Sequence, residues 1–80
     1  MELKREVKKE LTKKQYMDFI QKILKYNKKH KNLPPEIDFD GIIVYKNEYI
    51  EAVENVNKFI LVNSRYPEKI IIYHKRHNHQ

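Results

Sequence analysis

LTKKQYMDFIQKILKYNKKHKNLPPEIDF (residues 11–39) lies without a gap over VYKNEYIEAVENVNKFILVNSRYPEKIII (residues 44–72), an offset of 33. Lys13 meets Lys46, Tyr16 meets Tyr49, Asp18 meets Glu51, Pro34 meets Pro67 and Ile37 meets Ile70. Positions 16, 19, 20, 23 and 26 are all apolar, and so are 49, 52, 53, 56 and 59. That is the i, i+3, i+4, i+7 stripe of a helix with one buried face. Self-similarity at this period marks one supersecondary unit copied along the chain, each copy too small to bury its apolar face alone.

Each unit reads as a helix of about five turns, a proline stop and a short strand. Thr12 with Gln15 three residues on is a capping-box pattern: the hydroxyl takes a free backbone N–H and the amide reaches back. In the second unit Tyr45 stands at the equivalent cap position, with Asn47 as an alternative cap for a slightly later start. Both helices should end before Pro34 and Pro67, because proline pushes the preceding residue out of the α region.

In EIDFDGIIVY (residues 36–45), Ile37 and Phe39 alternate with polar residues, Asp40-Gly41 is a tight-turn dipeptide, and Ile42, Ile43 and Val44 are β-branched. That pattern is a hairpin signal. Residues 70–73 supply a further strand. Leu3, Val7 and Leu11 fit a helical stripe and strand alternation equally, so residues 1–11 either extend the first helix or form an edge strand. The expected fold is α+β, with two amphipathic helices packed on a small sheet of three or four strands in one domain. Residues 11–43 form the first repeat, 44–73 the second and 74–80 a flexible tail.

Composition bounds what such a domain does. The chain has 80 residues, of which 40% are apolar and 35% charged, which excludes simple disorder. A domain of this size hides roughly 60% of its unfolded surface, so its stability is marginal. The absence of cysteine excludes disulfides, Cys-ligated zinc and thiol catalysis. No apolar run approaches the roughly 18 to 20 residues of a membrane span, and MELKREVKKE lacks the apolar stretch of an export signal. Residues 1–33 hold eleven Lys/Arg against four Asp/Glu (+7), whereas residues 34–80 hold six against seven (−1). The basic field belongs to the first helix, where it raises the local concentration of any polyanion without choosing among them.

The candidate binding residues sit where the chain leaves its helices. HKNLP (residues 30–34) and NSRYP (residues 63–67) place His30, Asn32, Asn63, Arg65 and Tyr66 in loops, where binding groups concentrate. The competing reading is that Asn32 and Asn63 cap helix ends while Leu33 and Tyr66 close the core. Tyr16 and Tyr49 begin the buried stripes and read as core, with hydroxyls reaching the surface. His74, His77 and His79 in the tail lack a rigid element to orient them, so the tail reads as solvated and no metal or cofactor is expected. Gly41 is the only glycine and Ser64 the only serine, which leaves no phosphate loop and no constellation for a nucleophile. Asp38 and Asp40 flank a turn and read as turn formers.

A Tyr in the first turn of the helix, an aromatic near its end, then Asn or Arg, an apolar residue and Pro before a β-branched strand resembles the pseudomurein-binding repeat. The matching pieces are QYMDFIQKILKYNKKHKNLP and EYIEAVENVNKFILVNSRYP, two copies covering about 60 to 65 residues at a period close to that family's. Pro35 and Glu68 follow the motif prolines where the family often has Asn, and Asn32 stands where the second copy has the more typical Arg65. The resemblance implies a non-catalytic, extracellular module that anchors a surface protein or wall-lytic enzyme to the pseudomurein wall of methanogenic archaea. The implied partners are the wall glycan or its peptide cross-links, together with further repeats or a catalytic domain in the parent protein.

Such a role fits the chemistry of these residues. The +7 half attracts a carboxylate-bearing polymer, Arg65 can grip a carboxylate through two parallel hydrogen bonds, and tyrosine faces can pack on sugar C–H surfaces. Repetition converts weak contacts into avidity. Two rivals come from other classes: a small nucleic-acid-binding protein using the Lys-rich first helix, and an interaction module that dimerises through exposed apolar surface. Against the first, the aromatics sit mainly on the helical stripes, away from the exposed lysines.

Overall fold

The computed structural model describes residues 6–75. The chain runs β1 (Val7–Thr12), α1 (Lys13–His30), β2 (Glu36–Phe39), β3 (Ile42–Tyr45), α2 (Lys46–Asn63) and β4 (Lys69–Tyr73). The two helices have the same length and start 33 residues apart, so the copied unit is strand, helix, strand. β1 settles the ambiguity of the N-terminal segment from Val7 onward in favour of a strand; residues 1–5, with Leu3, lie outside the described region.

Strand pairing crosses between the copies. β1 pairs antiparallel with β4, and β2 with β3, so each copy's first strand bonds only the other copy's last. The registers match as well: Leu11 faces Ile70 in one ladder, and Val44 faces Ile37 in the other. The single sheet of three or four strands expected from sequence is therefore two separate two-stranded ladders related by an approximate two-fold. No backbone ladder joins β1 to β3; instead the Lys8 side chain donates to the Ile43 carbonyl at 2.8 Å. Lys8 lies where the β1 register shifts between Val7 and Lys9, a local irregularity that re-aims a side chain.

The helices end as the prolines require, though earlier. Lys31 and Ser64 close them in the left-handed region at φ 66° and 60°, and their N–H groups bond Asn27 O and Ile60 O. The caps are thus Lys31 and Ser64, with neither Asn32 nor Asn63 in that role. Asp40 and Gly41 both have positive φ, 59° and 77°, the signature of a type I′ hairpin turn.

At the start of α1 the capping box is complete. Gln15 N–H donates to Thr12 Oγ1 at 3.1 Å, and Thr12 N–H donates to Gln15 Oε1 at 2.9 Å. α2 starts at Lys46 with Tyr45 as its cap residue, so Asn47 lies inside the helix and takes no capping role. Thr12→Ala should cost about 1 kcal/mol. Thermal melting checks this, and an unshifted midpoint would remove the box from the stability of α1.

Both stripes face inward. Tyr16, Phe19 and Ile23 of α1 and Tyr49, Ala52 and Val56 of α2 are buried with Leu11, Ile37, Val44, Ile70 and Ile72. Ile20 and Val53 pack against this core, and Tyr26 and Phe59 are half-buried at its edge. Burial pushes the Tyr16 hydroxyl up to about 12, with nearby Tyr66 adding to the effect. The Tyr49 hydroxyl does not reach the surface: it donates to the buried Pro34 carbonyl, and burial, then Tyr26, raises its pKa.

Candidate functional site

The proline loops dock across the approximate two-fold, as the strands do. The first copy's loop meets the start of α2, where Lys46 N–H donates to Pro35 O at 2.9 Å and Tyr49 to Pro34 O. The second copy's loop meets the start of α1, where Lys13 Nζ lies 5.4 Å from the centre of the Tyr66 ring. All five sequence candidates are exposed. Leu33 is half-buried against the core and closes it, while Tyr66 stays 37% exposed and does not.

The structure divides these five between two places. In the first copy His30 stacks on Tyr26, with ring centres 4.2 Å apart, and Asn32 follows in the exposed bend. In the second, Arg65 lies over the Phe59 ring at 5.2 Å and Asn63 Nδ2 donates to the Phe59 carbonyl at 3.0 Å. Tyr26 and Phe59 are equivalent positions, so each copy presents a polar group on the same aromatic platform: imidazole on one, guanidinium on the other. Among the described residues, no hydrogen bond or ring contact joins one loop to the other.

Sequence reasoning missed a groove beside the second platform. It encloses about 210 Å³ and is lined by Ala52, Asn55, Val56 and Phe59 of α2, by Pro67, and by residues of β4 from Lys69 to Tyr73. The signal lies in mismatches of the repeat. Ala52 stands where the first copy has Phe19, and Asn55 where it has Lys22. Phe19 fills its own site, edge-on to Phe39 at 5.3 Å and to Tyr49 at 6.2 Å. Lys22 closes over it, its ammonium 2.9 Å from Asp38 O and 5.8 Å from the Phe39 ring centre.

Also missed was a buried ion pair. Glu48, 1% exposed, is the counterpart of Gln15 and caps α2 by accepting from Tyr45 N–H at 3.0 Å. The same oxygen accepts from Lys8 Nζ at 2.5 Å, and the other from Lys75 N–H at 3.0 Å, with His74 Nδ1 at 3.9 Å. The Lys8 side chain is 7% exposed and lies 4.7 Å from the Tyr45 ring centre. Burial opposes ionisation of Glu48, but the hydrogen bonds from Lys8, Tyr45 and Lys75 and the Lys8 charge outweigh it and hold its pKa below the usual value. Through these bonds the pair ties β1, the start of α2 and the chain just after β4 together.

His74 and Lys75, assigned from sequence to the tail, are held to the body, His74 N–H donating to Glu6 O at 2.8 Å. His77 and His79 lie outside the described residues. No helix among the described residues is long and apolar enough to cross a membrane. No family model, no curated protein and no solved structure matches the chain.

Proposed function

We propose that the chain is a non-catalytic cell-wall-binding module that anchors a surface protein or wall-lytic enzyme to archaeal pseudomurein. The observation that carries the reading is the second copy's loop. Arg65 stands exposed on the Phe59 ring and the Tyr66 ring is partly open to solvent, so a fixed guanidinium and an aromatic face are offered together. A planar guanidinium suits a carboxylate and a ring face suits the C–H surface of a sugar. The copied unit supports the reading too, since tandem weak sites suit a repetitive polymer.

Sedimentation with pseudomurein sacculi tests this, with bacterial murein and duplex DNA alongside, at about 50 and about 300 mM salt, because phosphate-based binding falls steeply over that range. Retention on pseudomurein at the higher salt is expected. Arg65→Ala and Tyr66→Ala should each weaken it roughly tenfold with melting unchanged, as truncated Arg and Tyr anchors do. Unchanged retention of both variants removes this loop from the site. A nucleic-acid reading rests on Lys14, Lys22, Lys25, Lys28 and Lys29, all exposed on α1. Binding to DNA alone, lost at the higher salt, would establish it in place of wall binding.

A further inference from the structure

We propose that the groove between α2 and β4 takes an extended acidic peptide, which adds to β4 as a third strand. This goes beyond wall binding and holds independently of it. The lining residues come from α2, Pro67 and β4, with none from β1 or α1, so the groove opens on the side of β4 away from its ladder partner. Among the described residues β4 pairs in a sheet with β1 alone, and in a strand paired on one edge, half the backbone N–H and C=O groups point to the other. A strand edge facing a helix across an apolar trough is the geometry of β-augmentation: main-chain bonds hold the peptide and alternate side chains enter the trough.

The chemistry of the occupant follows from comparing the copies. Along β4 the positions 69, 71 and 73 are Lys, Ile and Tyr; in the first copy the same positions, 36, 38 and 40, are Glu, Asp and Asp. Among the described residues no acidic side chain lines the groove, and Lys69 lines it with Arg65 over the neighbouring Phe59 ring. The contact of Lys69 with Glu10 is 3.9 Å long between two exposed side chains, weak enough to be exchanged. At the strand itself an acidic peptide therefore suits Lys69 of β4 and meets the carboxylates Glu36, Asp38 and Asp40 at the equivalent positions of the first copy, where Phe19 and Lys22 also fill the corresponding space.

The test uses the full 80-residue chain and a capped peptide of about six alternating valine and glutamate residues, about the length of one strand. Amide shifts and hydrogen exchange are followed on titration. Saturable shifts at Asn55, Phe59 and Ile71, with slowed exchange in β4, are expected. Asn55→Lys and Ala52→Phe, which copy the first repeat, should each weaken binding at least about tenfold, the loss typical of a blocked anchor pocket. Asn55 is exposed, so that variant does not put folding at risk. Lys69→Glu should abolish the preference for glutamate over a valine–lysine peptide. The proposal is overturned by a peptide that binds both groove variants equally or shifts residues elsewhere, and by equal binding of a peptide whose alternate residues are N-methylated. It is also overturned if β4 is protected without peptide as the chain dimerises, or if glucuronate competes for the groove while the peptide does not bind.

Discussion

Glu48→Ala should cost about 3–5 kcal/mol, because it leaves the Lys8 ammonium buried without its counter-charge. For a chain of this size the whole stability is on the order of 4–12 kcal/mol, so the variant sits at the edge of folding. The origin of the loss can be separated. Glu48→Gln keeps an acceptor for Tyr45 N–H, as Gln15 does for Thr12, and removes only the charge. Adding Lys8→Met to it should recover most of the loss, since an apolar residue no longer needs that charge. A denaturant-based double-mutant cycle measures the coupling; additive losses would mean that the two side chains do not stabilise each other.

The same pair sets a pH dependence of defined sign. The folded pKa of Glu48 lies below the ordinary carboxyl value of 4.5, so its contribution is complete above that value. It is lost as the pH falls below 4.5 and through the lowered folded value. The Glu48→Gln variant should show a shallower fall in melting temperature over that acid range.

The second large effect is expected of Phe19→Ala, at about 3–5 kcal/mol. Phe19 is fully buried and meets Phe39 and Tyr49 edge-on, so truncation removes two aromatic contacts along with its burial. The opposite change, Ala52→Phe, has a groove to expand into and should be tolerated to within about 1.5 kcal/mol. Urea unfolding of both variants checks the asymmetry. Equal losses would mean that the two copies are packed to the same density.

The periodic part of this fold was readable from sequence, because helix stripes and turn dipeptides are local. The capping box at Thr12, the proline stops and the Asp40-Gly41 hairpin each come from residues within a few positions of one another, and the offset of 33 is the recurrence of such local patterns. β1 was ambiguous because Val7 and Leu11 satisfy both periods, and its choice is made by β4, some sixty residues away. Lys8 and Glu48 are 40 residues apart, and a glutamate in a first helical turn ordinarily looks like a solvated cap. The groove is a missing volume. Ala52 opposite Phe19 was visible as a mismatch, but a small side chain opens a groove only where nothing else closes over it. The loop position of Arg65 and Tyr66 followed from the proline beside them, whereas the exposure of Tyr66 and the Phe59 platform under Arg65 required the packed helix end.

The crossed pairing of strands makes the pair of copies the smallest self-sufficient piece. One copy alone has two strands and no ladder, so its only folded form would be a symmetric dimer in which a second molecule supplies both partners. The chain is that dimer written as one polypeptide, with the turn at Asp40 and Gly41 as the joint between protomers. Opening this joint would let two chains trade halves while keeping every strand pair. A tandem array of the unit therefore grows in steps of two, and an odd copy at its end would leave two strand edges free to recruit a neighbour.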